Sequence, residues 1–150
     1  MRLLVLAASA LILSACSQGG ETSEPAPAPV EPPPALSGVD LSQPVRLTGT
    51  EPFWGIELTG SELVYSGVDR PEQRAPQPKI TIQGTVATFE TRSASGTPFE
   101  VTLTATECSD GMSDRVFPLT AMVKVGEETL MGCAASSAAL ARAGESGPVV

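Results

Sequence analysis

Apolar and polar residues alternate along much of this chain. Phe99, Val101, Leu103 and Ala105 are interleaved with Glu100, Thr102, Thr104 and Thr106, and Trp54, Ile56 and Leu58 with Gly55, Glu57 and Thr59. Leu119, Ala121, Val123 and Val125 likewise take every second position of a β-rich run. A period of two sends one side of a strand into a core and the other towards water. The pattern predicts strands over 45–48, 54–59, 62–66, 79–83, 85–91, 99–107, 116–125 and 129–133. Turns are expected at Gly60-Ser61, at Gly84, over 93–98 and at Gly126-Glu127, where glycine accepts a positive φ at little cost. Residues 67–78 carry Pro71, Pro76 and Pro78 among several charges and read as a loop. Short alternating strands with turn signals every ~8–12 residues predict an all-β domain, a small antiparallel barrel or sandwich. No longer repeat is present.

The two ends of the chain read differently. Residues 3–13 are almost wholly apolar behind Met1-Arg2, a run shorter than the ~20 residues that span a bilayer. It fits the core of a signal peptide. Leu13-Ser14-Ala15-Cys16 resembles the lipobox of bacterial lipoproteins. That resemblance implies removal of residues 1–15, acylation of Cys16, and attachment to a membrane through the N-terminal acyl chains. Ser17, after the cysteine, implies the periplasmic side of the outer membrane. Residues 16–43 read as a linker, with prolines at 25, 27, 29, 32, 33 and 34. Such a segment favours extended polyproline II, so its ten residues 25–34 would reach ~30 Å. The β-domain is expected over 44–135. Residues 136–150 are expected to be a flexible tail, with at most a frayed helix.

Composition sharpens this picture. The only aromatics are Phe53, Trp54, Tyr65, Phe89, Phe99 and Phe117, so the core is small and a covalent staple would matter. Of three cysteines, the lipobox claims Cys16, which leaves Cys108 and Cys133 for one disulfide in an oxidising periplasm. The strands leading to these two cysteines are expected to flank a third. Strands so separated lie ~9–10 Å apart, beyond the ~7 Å Cα spacing a disulfide tolerates. Either Cys108 leans in from its loop or the last strand pairs elsewhere. The chain has no histidine, which removes Ser-His-Asp and Cys-His catalysis and the commonest metal ligand. No enzyme activity, metal or cofactor is expected. With 9 basic and 17 acidic residues the net charge is −8, which disfavours nucleic acid.

Two clusters remain. One is Gly49-Thr50-Glu51-Pro52-Phe53-Trp54; the other is Cys108-Ser109-Asp110-Gly111-Met112-Ser113-Asp114, followed by Phe117-Pro118 and Gly132-Cys133. Together they resemble a family of small bacterial envelope lipoproteins sharing E-P-F-W, C-x-D-x-M-S, an aromatic-Pro step and a closing G-C. The resemblance implies a compact disulfide-bonded β-domain and carries no assigned chemistry. Glu51, Phe53 and Trp54 are candidates for stacking on a sugar or peptide, against a plainer role in which Trp54 fills the core. Asp110 and Asp114 are two carboxylates in one loop, too few for the six to eight oxygens of calcium. Met112, Met122 and Met131 suggest soft-metal binding, against the common use of Met as core filler. Ser93-Ala94-Ser95-Gly96, followed by Phe99, is similar to a loop of membrane-bound lysozyme inhibitors, which implies a protruding inhibitory turn with Ser93, Ser95 and Gly96 in it. The reading is a lipid-anchored periplasmic protein with a non-catalytic domain for envelope maintenance or for binding a periplasmic protein or cell-wall partner. The alternative is an inhibitor of a lysozyme or other cell-wall hydrolase.

Overall fold

A computed structural model describes residues 32–68 and 70–150. The expected signal peptide, the expected lipidation site Cys16 and most of the expected linker lie outside the described residues. A short hairpin, β1 (Ala35–Leu36) and β2 (Val39–Asp40), precedes β3 (Val45–Thr50), β4 (Phe53–Leu58), β5 (Glu62–Gly67) and β6 (Arg70–Pro76). Then come β7 (Thr81–Gln83), β8 (Val86–Arg92), β9 (Pro98–Thr104), β10 (Asp114–Val116), β11 (Leu119–Val125) and β12 (Glu128–Ser136). The chain closes with α1 (Ser137–Arg142) and β13 (Ser146–Pro148).

Nine strands form one antiparallel sheet in the order β6-β5-β4-β3-β12-β11-β9-β8-β7, curled into a half-barrel. Each half is a meander, and β12 joins them by pairing with β3 on one side and β11 on the other. The expected all-β class therefore holds. The alternation is realised directly: Leu119, Ala121, Val123 and Val125 of β11 and Phe99, Val101 and Leu103 of β9 are buried. With Leu47, Ile56, Leu58 and Leu63 they fill the concave side. The sheet's outer strands approach each other where the Thr91 hydroxyl of β8 donates to the Pro76 carbonyl of β6, 2.5 Å away.

The disulfide joins Cys108 to Cys133, with Cα atoms 5.4 Å apart. Of the two arrangements open from the sequence, the first is realised: β12 pairs with β11 as expected, and the loop brings Cys108 in. Cys108 leans in by pairing its N–H and C=O with Phe117, at 3.0 and 2.9 Å, and so sits beside the start of β11. Cys133 faces Thr120 across one ladder and Thr48 across the other. Its side chain lies on the convex side, because Leu130 and Ala134 of the same strand join the main core.

Three expectations are corrected. Residues 70–76 form strand β6, not loop; Pro71 and Pro76 are accommodated because β6 is an edge strand, where a missing N–H breaks no ladder. The folded domain begins well before residue 44. Leu36, Val39 and Leu41 are buried in the main core, and Ser37 and Gly38 turn the β1–β2 hairpin with φ of 48° and 79°. Paired positive φ values are the signature of the tight turn that matches strand twist. Residues 136–150 fold back instead of trailing. The Ser136 hydroxyl accepts from the Ala139 N–H at the start of α1, and β13 pairs in parallel with β10. Val149 is then buried with Phe117, Cys133, Ala135 and Ala139 in a second, convex-side core that covers the disulfide end of β12.

Candidate functional site

The two sequence clusters meet on the convex side of the sheet. The chain leaves β3 at Thr50, turns through Glu51-Pro52, which are joined by a cis peptide bond, and enters β4 at Phe53, directly opposite Thr50. Alternation then separates the aromatic pair. Trp54 points into the core at 4% exposure, while Phe53 points outward. The indole lies against two strands whose facing positions are glycine. A Cβ on Gly49 would come within 2.1 Å of Trp54 Nε1. One on Gly132 would come within 2.1 Å of the Thr48 carbonyl oxygen and 2.9 Å of Trp54 Cζ2. The closing Gly132-Cys133 motif thus makes room for the E-P-F-W tryptophan on one face and anchors the loop cysteine on the other.

The Cys108 loop runs over this region and is fixed at several points. Beyond the disulfide, the Thr50 hydroxyl donates to the Asp110 carbonyl oxygen at 3.1 Å, tying one cluster to the other. The Asp110 carboxylate closes its own turn, accepting from the Met112 N–H at 3.0 Å, the Ser113 N–H at 2.8 Å and the Ser113 hydroxyl at 2.9 Å. Partial burial opposes its ionisation. The bonds from Ser113 and Met112 and the nearby Arg115 charge outweigh that cost and hold the carboxyl below its usual range. Asp114 stands apart: it is exposed, opens β10, and its N–H donates to the Glu145 carbonyl. Among the described residues no group of three or more His, Cys, Asp or Glu side chains is placed to hold a metal.

Between the Glu51-Pro52 turn and the Cys108 loop lies an open groove of about 580 Å³, lined by Glu51, Phe53, Asp110, Met112 and Met131 among others. Phe53, Met112 and Met131 are 52%, 69% and 56% exposed there, three large apolar side chains in one place on the surface. The core-filler account of the methionines does not hold, since Met112, Met122 and Met131 belong to neither hydrophobic core. The missed signal was local. Met131 alternates with buried Leu130 and lies two residues before Cys133, which fixes it on the convex side.

Ser93, Ser95 and Gly96 are not part of this groove. They form the β8–β9 turn, separated from the β3–β4 turn by β12 and β11, so three strand spacings or roughly 14 Å intervene. Ser93 is 8% exposed and accepts from the Thr97 N–H at 3.1 Å, and its N–H donates to the Thr97 carbonyl at 2.9 Å. Arg92 braces the turn by donating to the Gly96 carbonyl at 2.9 Å, leaving Ser95 and Gly96 as the exposed tip. No protein-family model, curated protein or solved structure matches the chain.

Proposed function

We propose that this chain is a lipid-anchored envelope protein whose β-domain is a non-catalytic binding module, with its ligand surface in the groove between the Glu51-Pro52 turn and the Cys108 loop. The observation that carries the reading is the grouping of Phe53, Met112 and Met131. Each is exposed, each comes from a different element, and all line one groove on a rigid, disulfide-pinned sheet. Exposed apolar side chains scattered singly need no explanation, whereas a contiguous group marks a contact surface. Two of the polar groups beside it are already engaged. Asp110 is spent on its own turn, and Thr50 on the Asp110 carbonyl. Those two groups brace the walls of the groove and leave its apolar side chains to make the contact. The lipobox at residues 13–16 and the proline-rich segment supply the anchor and the stand-off.

The test replaces Phe53 and Met131 together by Ser in the full-length protein. Because both side chains are largely solvent-exposed, the melting temperature should stay within about 2 °C of wild type. Association with envelope components, followed by native size analysis after mild detergent extraction, should be lost. Retained association in a folded double variant would refute the groove.

The second reading, inhibition of a lysozyme or other cell-wall hydrolase, is favoured by the braced turn that exposes Ser95 and Gly96. Inhibition of peptidoglycan hydrolysis at physiological salt, abolished by Ser95→Ala, would put it first. Inhibition that fades with salt and ignores Ser95 would be non-specific attraction of an acidic domain to a basic enzyme.

A further inference from the structure

We propose that the convex face beside Phe53 binds a soft monovalent cation, Cu(I) or Ag(I), through the thioethers of Met112, Met122 and Met131. The inference rests on the reading that the Phe53–Met131 groove is the ligand surface, and it names that ligand's chemistry. Met122 of β11 and Met131 of β12 are direct cross-strand partners. Both lie on the convex side, because Ala121 and Val123 flank Met122 in the core, and Leu130 precedes Met131 there. Opposed residues on one face hold their Cβ atoms ~4.5–5.5 Å apart. Met112 lines the same groove as Met131. It is held there by the Asp110 turn, by the Thr50 bond to that turn and by the Cys108–Cys133 disulfide. A methionine has three rotatable bonds beyond Cα, enough for neighbouring sulfurs to converge on one ion.

The chemistry follows from the donor set. Thioether sulfur is soft and uncharged and selects d10 monovalent ions such as Cu(I) over Zn(II), Ca(II) or Mg(II). The chain has no histidine, and both cysteines among the described residues are locked in the disulfide, so thioethers are the soft donors on this face. Thioethers do not titrate in water. The ionisable groups around them are Glu51 and Asp110 at the groove, and Lys124 with its partner Glu100 further along β11 and β9. Because the thioether donors have no proton to lose, binding should be flat between about pH 5.5 and 8. A thiolate or imidazole site would be strongly pH-dependent.

Silver nitrate in chloride-free buffer is the probe, since Ag(I) needs no reductant and so spares the disulfide. It is titrated into the full-length protein carrying 13C-methyl methionine, in detergent micelles. The resonances of Met112, Met122 and Met131 should move together and saturate at one silver per chain, with zinc and calcium giving no shift. Met131→Leu, which keeps the apolar surface and removes the sulfur, should weaken binding about tenfold or more, and its melting temperature reports that the fold is intact. Absence of saturable methyl shifts overturns the proposal, as does binding that survives Met131→Leu and Met122→Leu. If silver fails while Phe53 still contacts an envelope partner, the cation is refuted and the groove stands. If both fail, the groove falls with it.

Discussion

At the scale of single residues, Trp54 packs directly against the backbone of Gly49 and Gly132. Backbone cannot retreat as a flexible side chain can, so Gly132→Ala, with its Cβ 2.1 Å from the Thr48 carbonyl oxygen, should cost about 3 kcal/mol or more. Gly84→Ala, with open space around it, should cost only about 1 kcal/mol for its positive φ. Urea denaturation of the two variants checks the contrast, and equal losses would mean that β3 and β12 do not approach so closely at Gly132. Asp110 makes a different prediction. Its folded-state pKa is lowered, so its contribution is present above the unfolded value near ~4 and is lost as pH falls through the folded one. Asp110→Ala should therefore destabilise by about 1–2 kcal/mol at pH 7, and the gap from wild type should close below about pH 4. A gap independent of pH would assign the loss to packing instead. Period-two alternation made the inward turn of Trp54 legible in the sequence. The role of Gly132 was not, because a close approach between strands depends on which strands are neighbours.

Elements were legible wherever one face is buried and the other wet. β9 and β11 follow their alternation almost residue for residue, and the glycine turns fall where expected. What escaped was structure whose justification is positional. β6 is polar and rich in proline, and it is a strand only because it caps the edge of the sheet. The β1–β2 hairpin is hidden beside a low-complexity proline run. The C-terminal segment buries one decisive residue, Val149, against Phe117 and Cys133, and a lone valine carries no periodicity. Val149→Ala should cost about 1–3 kcal/mol, measured by chemical denaturation, whereas a trailing tail would show no effect. The disulfide closes a separation of 25 residues, so reducing it should remove about 3 kcal/mol and lower the melting temperature by roughly 10 °C or more. Reduction without a thermal shift would mean that the Cys108–Phe117 pairing holds the loop unaided.

For the whole molecule, the sequence placed the two motif clusters 50 residues and more apart, and their meeting depends on the pairing of β3 with β12. No local pattern states that pairing, which is why Phe53 and Met131 could not be joined from the sequence. The proposed lipid anchor is tested independently of the groove. Intact-mass spectrometry of protein from the envelope should show loss of residues 1–15 and acyl mass on Cys16, and an unmodified, freely soluble chain would remove the tether from the account. The groove beside Phe53 is proposed as the surface this protein uses. A photo-crosslinking amino acid at position 53 of the full-length protein, compared with one at exposed Thr88 on β8, tests it in the intact envelope. Discrete adducts from position 53 and none from position 88 are the predicted result; no adducts at 53, or the same adducts from both positions, would contradict it.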